Sequence, residues 1–490
     1  MSRQPNVVWS PLPGSQALAM SSRAHHILYE GTRGSGKTEG QLMYFRQFVG
    51  RGYGQFWRGI ILDRQYKRLD DVVSRSLRWF PRFNDGARFL YGNKDYKWVW
   101  PTGEELLFRK LSKKDEYHGY HGHEYPFIGW NELTNQPTPE LYDLMMSCNR
   151  SSHRDDRLPS IPLVVFSTTN PHGAGHAWVK ERFVDPAPPG QVVRTTRDVF
   201  NPRTQRREEH TKYQVRIFGS YKENRLLSPE YIAELEAIKD DNLRRAWLHG
   251  DWDVVAGSAF DDLWDSGQHI IAPVAVPKSW YVDRSFDWGS SHPFSVGWWA
   301  KADGTEAHYL DGTGTFCPPA GSLIRIAEWY GSNAPGTNTG LRMSAKNVAR
   351  GIVERETVLR HKGVVAGKIY PGPADGSIYS VNDVGSKSIA DMMEEEGVTW
   401  LMADRSNGSR AIGLQAARDM LEAVIDAEGP GLFVSRDCQA WIKLVPHLPR
   451  DERLLDDVDT DAEDHAWDET RYRVLARKQF ARRIDGGTRY

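Results

Sequence analysis

Short apolar runs bounded by polar residues recur along the first half of the chain, and each has the length of a buried strand. The first run leads into a polar loop, and the pattern of residues 39–49 after it predicts a helix. Strands that alternate with helical patterns predict a mostly parallel α/β sheet. The predicted strands are residues 26–30, 60–62, 127–130 and 163–166.

The hydrophobic pattern changes further along the chain. A charged stretch rich in Pro and Gly, residues 185–211, predicts an excursion from the sheet, and helical patterns return at 229–238 and 242–249. Residues 257–277 predict a connector, after which strand-like alternation resumes at 295–300 and 308–311. A chain of 490 residues is too long for one ordinary core. We predict a first domain over 1–262, a linker over 263–277 and a second domain over 278–490.

Composition is typical of a soluble globular protein, with 39% hydrophobic residues, 26% charged residues and a net charge of −1. No run of about 18 apolar residues occurs, so no membrane span is predicted, and the N-terminus has no apolar secretory segment. The three cysteines are widely spaced, which argues against a disulfide framework or a cysteine zinc site and fits a reducing cytoplasm.

Basic residues are unevenly distributed although the net charge is close to zero. Such local patches can follow a phosphate backbone, but a solvated surface explains them equally well. One cluster comprises Arg194, Arg197, Arg203, Arg206, Arg207, Lys212, Arg216, Lys222 and Arg225, and the C-terminal tail carries Arg471, Arg473, Arg477, Lys478, Arg482, Arg483 and Arg489.

Residues 31–38, with the sequence GTRGSGKT, match the phosphate-loop pattern G-x-x-x-x-G-K-[ST]. Glycines let backbone N–H groups surround phosphate oxygens, Lys37 reaches the β- and γ-phosphates, and the Thr38 hydroxyl can ligate Mg²⁺. The loop stands between a predicted strand and a predicted helix, as this motif requires. We therefore predict a nucleotide site formed by Gly31, Arg33, Gly34, Ser35, Gly36, Lys37 and Thr38.

Polar residues follow the next two apolar strands of this domain. Glu132 comes after the strand at 127–130, where an acidic pair normally handles Mg²⁺ and the attacking water, and Asn131 stands where Asp is usual. Thr169 and Asn170 follow the strand at 163–166 and are placed to sense a γ-phosphate. A surface glutamate and a plain turn are the simpler interpretations of these two segments.

Three carboxylates of the second half stand at the ends of predicted elements. Asp287 is at the head of the first strand pattern of this half, Asp375 follows the strand pattern at 364–370, and Asp468 lies where a late helix, 469–478, begins. If they converge, they can hold two metal ions that activate water against a phosphodiester, and oxygen ligands select Mg²⁺ or Mn²⁺. Asp464 and His465 are further candidate ligands, although Asp464 also suits a helix N-cap.

The phosphate loop, Glu132 and the segment 167–171, in this order and spacing, resemble the large terminase subunits of tailed bacteriophages. Residues 221–224, residues 248–252 and Gln16 are also similar to that family, with Gln16 at the place of an adenine-recognition glutamine. The resemblance implies an α/β architecture: an N-terminal P-loop ATPase with an ASCE-like, mostly parallel sheet and a C-terminal ribonuclease-H-like nuclease. It implies that Asp287, Asp375 and Asp468 carry metal, with Glu328 as a rival for the middle position.

By the same resemblance, ATP and Mg²⁺ drive double-stranded DNA into a procapsid, and the nuclease cuts concatemeric DNA with Mg²⁺ or Mn²⁺. The implied partners are a small terminase subunit, the portal protein and further copies in a ring, in the host cell cytoplasm. Arg33 in cis or Arg150 in trans would supply the arginine finger. The alternatives are an ATP-dependent nuclease or helicase of DNA repair or defence, and a nucleotide-gated assembly protein without catalysis, which Asn131 would favour.

Overall fold

The computed structural model describes residues 7–92, 96–154, 157, 159–202, 204–239, 241–253, 258–381, 387–451, 454 and 456–485, with the side chains of the last helix described as far as residue 476. The predicted basic tail beyond Arg473 therefore lies outside the described side chains. The chain divides into two compact units, Met1–Gly257 and Ser258–Tyr490. None of the helices in the described ranges is both long enough and apolar enough to cross a membrane.

The first unit alternates strands and helices. Its strands are β1 His26–Gly31, β2 Arg58–Asp63, β3 Arg88–Leu90, β4 Tyr96–Val99, β5 Glu105–Lys110, β6 Phe127–Trp130, β7 Val164–Thr168, β8 Val192–Asn201 and β9 Arg206–Gly219. Its helices are α1 Ser15–Ser21, α2 Lys37–Arg46, α3 Tyr66–Trp79, α4 Lys114–Tyr117, α5 Glu140–Met145, α6 His176–Val179, α7 Pro229–Glu236 and α8 Asp241–Arg244. Helices α6 and α8 continue as π-helical segments, Lys180–Val184 and Arg245–His249, and 3-10 turns occupy Gly54–Phe56, Phe80–Phe83, Leu133–Asn135, Met146–Cys148 and Tyr221–Glu223.

The sheet of the first unit has the order β3-β4-β5-β2-β6-β7-β1-β9-β8. The strands from β5 to β9 in this order run parallel, and β3, β4 and β8 add antiparallel edges. The predicted α/β class is thus confirmed. Parallel strands place their carboxyl ends at one edge of the sheet, where ligands of such folds bind, and this edge carries the segments after β1, β2, β6 and β7.

The second unit is built around a mixed sheet. Its strands are β10 Ile270–Ile271, β11 Val274–Ala275, β12 Tyr281–Asp287, β13 Ser295–Lys301, β14 Ala307–Tyr309, β15 Thr315–Phe316, β16 Leu323–Tyr330, β17 Ile369–Tyr370, β18 Pro373–Ala374, β19 Leu401–Met402 and β20 Leu432–Ser435. Its helices are α9 Ser266–His269, α10 Ala345–His361, α11 Ile389–Glu394, α12 Ser409–Ile425, α13 Gln439–Leu444 and α14 His465–Asp485, with 3-10 turns at Gly376–Tyr379 and Val445–His447.

The main sheet of this unit has the order β10-β20-β16-β13-β12-β18-β19. Strands β12, β13 and β16 form an antiparallel meander, and β18 and β19 continue beside β12 in parallel. This is the strand arrangement of the ribonuclease-H-like fold. The segment predicted as a linker, 263–277, contains α9, β10 and β11, and β10 joins this sheet. The single strand predicted at 364–370 is reduced to the two-residue strand β17.

Candidate active sites

The loop after β1 has the backbone that its glycines allow. Gly31, Gly34 and Gly36 have φ angles of 122°, 83° and 84°, in the region that favours glycine. A Cβ atom at Gly31 would stand 2.3 Å from the carbonyl oxygen of Gly219 on β9, so the loop also needs glycine there for space. Helix α2 begins directly after the loop at Lys37, and its N-terminus favours an anion.

Lys37 is buried inside this loop. Its Nζ donates hydrogen bonds to the carbonyl oxygen of Thr32 at 2.6 Å and to Oγ of Ser35 at 3.3 Å. Burial lowers the pKa of Lys37 to about 8, although the nearby carboxylates of Glu132 and Glu30 oppose that shift. Thr38 is the second residue of α2 and is half-buried. The loop thus holds a cation at its centre and a hydroxyl beside it.

Asn131 follows β6 and is bound to a carboxylate of the neighbouring strand. Its Nδ2 donates to Oδ2 of Asp63, the last residue of β2, at 2.7 Å. The register explains this contact, because Leu62 pairs with Trp130 and places the two following residues side by side. Burial raises the pKa of Asp63 to about 6, even though the hydrogen bond from Asn131 lowers it. A negative charge therefore lies one strand away from the position where the usual Asp is missing.

Glu132 occupies a strained position at the same edge. Its φ of 47° lies in the left-handed region, which is uncommon for a residue with a side chain. Its N–H donates to Oγ1 of Thr168 at 3.4 Å. Burial lowers the pKa values of Lys37 and Arg33, and the negative charge of Glu132 opposes this shift in both residues. The carboxylate thus stands close to both cations of the loop.

The segment after β7 connects these parts. Asn170 donates from Nδ2 to the carbonyl oxygen of Gly31 at 2.6 Å. The hydroxyls of Thr169 and Thr134 are 2.7 Å apart, and Thr134 lies in the turn that follows Glu132. This segment therefore contacts the phosphate loop on one side and the segment of Glu132 on the other.

Two predicted residues, Gln16 and Arg33, take supporting positions around the phosphate loop, and Arg150 contacts a different segment. Gln16 accepts from the N–H of Leu12 at 2.7 Å and donates to the carbonyl oxygen of Gly36 at 2.9 Å, so both ends of its amide are engaged. Arg33 is exposed and stacks on Trp247, with its guanidinium carbon 3.1 Å from the ring centroid. The guanidinium of Arg150 instead donates to the carbonyl oxygen of Gly122 at 2.7 Å.

In the second unit, Asp287 and Asp375 lie at the ends of adjacent strands. Asp287 ends β12 and Asp375 follows β18, and the N–H of Asp375 donates to the carbonyl oxygen of Phe286 at 2.9 Å. Asp287 is buried, and His465 from α14 donates from Nδ1 to its Oδ2 at 3.0 Å. Burial, opposed by His465, raises the pKa of Asp287 to about 6.

An arginine from α12 contacts Asp468 of α14 and two acids that precede this helix. The Arg410 guanidinium donates to Asp468 at 3.0 and 3.2 Å, to Asp464 at 3.4 Å and to Asp457 at 2.7 Å. Burial and the charge of Asp468 raise the pKa of Asp464 to about 8. Burial alone would lower the pKa of His465, but Asp287 and Asp464 outweigh it and raise this pKa to about 9. The helix side of the site thus carries its own cations.

Glu328 has a different role from that of Asp375. It lies on β16 and accepts the N–H groups of Ala440 at 2.6 Å and Trp441 at 3.1 Å, at the start of α13. The buried guanidinium of Arg325 stands 3.6 Å away. Of the two rivals for the middle position, the structure thus brings Asp375 to Asp287 and uses Glu328 to hold α13.

Hard carboxylate oxygens that are buried together suit a divalent cation such as Mg²⁺ or Mn²⁺. In the second unit, burial raises the pKa of Asp287; His465 opposes this shift, and the charges of Asp468 and Asp375 add to it. Within the ranges that the structure describes, no three His, Cys, Asp or Glu side chains are already arranged to hold a metal ion. The donor set fits a cation, and the arginine contacts of Asp464 and Asp468 compete with it.

Residues 28–265 match the family model described as terminase large subunit, T4likevirus-type, N-terminal. This segment, just under half of the chain, is similar to the terminase large-subunit family. Comparison with curated proteins gave no match. Among solved structures, the large terminase of a thermophilic bacteriophage is 14% identical with a TM-score of 0.37, over 95% of this chain and 99% of that one.

Two further structures of large terminases are similar to the chain. The large terminase of bacteriophage HK97 is 10% identical with a TM-score of 0.43, over 94% of this chain and 93% of that one. The nuclease domain of the P22 large terminase is 17% identical with a TM-score of 0.32, over 46% of this chain and 93% of that one. At these values the likenesses assign no role to any individual residue of this chain.

Three residues of the two sites were not predicted from the sequence. Asp63 was detectable as an acid closing an apolar run, but its link to Asn131 needs the strand order. Arg410 carries no local pattern. Glu469 is fully buried and accepts from Trp299 at 2.8 Å and from Ser285 and Arg325. Because these partners lie on β12, β13 and β16, Glu469 fixes α14 on the sheet. No local sequence pattern predicts this role, which becomes visible from the burial of Glu469 in the structure.

Proposed function

We propose that this chain is a DNA-packaging motor with its own nuclease. The first unit binds and hydrolyses ATP to move double-stranded DNA into a procapsid, and the second unit cuts concatemeric DNA. The observation that carries the proposal is the meeting of the phosphate loop, Glu132 and Asn170 at one edge of a parallel sheet. The similarity of residues 28–265 to the terminase large-subunit family supports the same function.

In the ATPase reaction, the loop N–H groups and Lys37 would hold the phosphates, and Thr38 with Asn131 would hold the Mg²⁺ that neutralises their charge. Glu132 would orient the attacking water, since it follows β6 at the sheet edge that carries the loop and its charge acts on Lys37 and Arg33. Arg33 is the preferred arginine finger, because Arg150 is engaged with its own loop. Asn170 would respond to the presence or loss of the γ-phosphate, since it donates a hydrogen bond to the carbonyl oxygen of Gly31 in the phosphate loop.

In the nuclease reaction, Asp287, Asp375 and Asp468 would hold Mg²⁺ or Mn²⁺, with Asp464 and His465 next to them. The metal, when bound, would supply an activated water and charge stabilisation at the scissile phosphate. His465 would orient Asp287 through their hydrogen bond. Arg410 engages Asp464 and Asp468, whereas the guanidinium of Arg405 stands 3.9 Å from Asp375.

The partners proposed for this function are duplex DNA, a small terminase subunit, the portal protein and further copies of the chain in a ring. The place of action would be the host cell cytoplasm. Contacts to DNA should fall on phosphates, because a motor has to accept any sequence. A helicase or repair nuclease would instead separate the strands or act without a procapsid.

The ATPase assignment is tested with Glu132→Gln and its matched control Glu140→Gln, which changes an exposed glutamate of α5. We expect Glu132→Gln to reduce ATP turnover by at least a hundredfold while nucleotide binding persists, and Glu140→Gln to be silent. Unchanged turnover in Glu132→Gln would contradict the role of this residue.

The nuclease assignment is tested with Asp287→Asn and its matched control Asp426→Asn, an exposed position after α12. We expect Asp287→Asn to abolish Mn²⁺-dependent plasmid cutting and to keep ATP turnover. A duplex that is taken up intact into procapsids supports packaging, whereas ATP-driven strand separation would support the helicase alternative.

A further inference from the structure

Strands β8 and β9 extend beyond the sheet as a two-stranded ribbon, residues 192–201 and 206–213. The two strands pair continuously from Val192 opposite Val215 to Asn201 opposite Arg206. Strand β9 pairs with β1 only over residues 214–219. The eight residues 206–213 thus project for about 27 Å at the rise of an antiparallel strand.

Both faces of this ribbon are exposed to solvent along most of its length. A two-stranded hairpin that packs against nothing is only marginally stable in water. Cross-strand contacts stabilise it, among them the hydroxyls of Thr196 and Thr211 at 3.0 Å and the ion pair of Arg207 with Asp198 at 2.6 Å. An extended element of this kind is best explained by a partner that lies along it.

The two faces of the ribbon differ in charge, because side chains alternate along a strand. One face, which we call the basic face, has Arg197 opposite His210, Lys212 opposite Thr195, and Arg206 opposite Asn201. Within the described residues, no ion pair is seen for Arg197, Arg206 or Lys212. Its single acid, Glu208, accepts hydrogen bonds from Asn201 at 2.7 Å and from the hydroxyl of Thr204.

The opposite face is nearly neutral. Arg207 is paired there with Asp198, and the guanidinium of Arg194 stands 6.0 Å from the ring centroid of Tyr213. Glu209, opposite Asp198, adds a second negative charge to this face. The predicted basic residue Arg203 lies outside the described residues. The excess positive charge of the ribbon is therefore confined to one face, where Arg206 and Lys212 are about 20 Å apart along the strand.

We propose that the basic face of the ribbon binds the phosphate backbone of duplex DNA. Unpaired cations on an extended strand match a linear polyanion, and a two-stranded ribbon is narrow enough to enter a major groove. The face offers arginine, lysine and histidine rather than a set of amides for reading bases, so the contact is independent of sequence. This inference rests on the proposed function, since it names where a motor that handles DNA touches it.

The test compares two double variants of the full chain that remove the same charge from opposite faces. Arg197→Gln/Lys212→Gln changes the basic face, and Arg194→Gln/Arg207→Gln is the matched control. Binding of a fluorescein-labelled 30-base-pair duplex of arbitrary sequence is measured by anisotropy at several NaCl concentrations. Basal ATP turnover without DNA, which these residues do not serve, checks that each variant is folded.

We expect the basic-face variant to bind the duplex on the order of 50-fold more weakly at 100 mM salt, with the slope of log K against log salt reduced by about 1.8. The control should lose far less. Equal losses in both variants, or no loss in the basic-face variant, would overturn the inference. Unchanged DNA binding with reduced self-association would assign the ribbon to a protein contact instead. If the unmodified chain bound no duplex, the proposed function itself would fail.

Discussion

Changing Asn131 to Asp restores the usual acidic pair in sequence, yet the structure predicts that it harms the protein. The new carboxylate would stand at the 2.7 Å distance that separates Asn131 Nδ2 from Asp63 Oδ2. Two full charges at that distance repel by about 6 kcal/mol at an effective dielectric constant near 20. We therefore expect the two acids to share one proton, as close carboxylate pairs do.

The free energy needed to keep one carboxyl of the pair protonated sets the size of the expected loss of stability. Burial already raises the pKa of Asp63 to about 6, so keeping the group protonated at pH 7 costs about 1.4 kcal/mol. The unfolded chain holds no such proton at this pH, since ordinary Asp side chains are ionised there. Above pH 6 the free energy of unfolding of Asn131→Asp should thus fall relative to the unmodified chain by about 1.4 kcal/mol per pH unit.

The assay is urea unfolding of the first unit within the full chain at pH 6, 7 and 8, with the double variant Asp63→Asn/Asn131→Asp as control. The double variant again pairs one carboxylate with one amide, so it should stay within about 0.5 kcal/mol of the unmodified chain. It should also need several-fold less Mg²⁺ for half-maximal ATP turnover, because the charge now sits at position 131. A single variant that is fully stable at pH 8 and gains as much Mg²⁺ affinity as the double would refute the reasoning.

Three further predictions concern stability and the nuclease site. Nδ1 of His26 is hydrogen-bonded to the hydroxyl of Tyr142 at 2.8 Å, and burial, with the charge of Arg182, lowers the pKa of His26 from 6.5 to about 3. Because His26 is protonated at a higher pH in the unfolded chain than in the folded one, the free energy of unfolding should fall below pH 6.5, by about 1.4 kcal/mol at pH 5.5. Urea titrations of His26→Gln should show a flatter pH profile. Glu328→Gln should lower the free energy of unfolding by about 1–3 kcal/mol and leave plasmid cutting intact. Asp375→Asn should instead abolish plasmid cutting and leave the free energy of unfolding intact. Loss of cutting in Glu328→Gln alone would reverse the assignment. Arg410→Gln should lower the melting temperature, and Mn²⁺ should raise it more in this variant than in the unmodified chain; an equal Mn²⁺ effect in both would show that Arg410 does not compete with the metal.

Local motifs and strands were predictable from the sequence, because their causes lie within a few residues. The strand at 127–130 has the observed bounds of β6, and the phosphate loop has the strand and helix that its glycines and Lys37 require. The predicted late helix 469–478 was too short, since α14 begins at His465. The excursion at 185–211 was located correctly, but its charged strands have no buried face, so the alternation that marks a strand was missing.

The pairing of residues on neighbouring strands could not be predicted from the sequence. The choice between Asp375 and Glu328 depends on register, because Ala374 pairs with Phe286 while Glu328 pairs with Gly297 on β13. Asp63 becomes relevant only because β2 lies beside β6. A single sequence contains each acid but does not order the strands that bring two acids together.

Charge balance links the residues that were missed. Buried carboxylates in one cluster cannot all stay ionised without cations. Arg410 provides one positive charge to Asp457, Asp464 and Asp468, and Arg471 adds a second beside Asp468. Among the described residues, His465 is the cation that contacts Asp287. Because Arg410 engages Asp464 and Asp468 directly, we expect a divalent cation to reach these two carboxylates only as Arg410 withdraws.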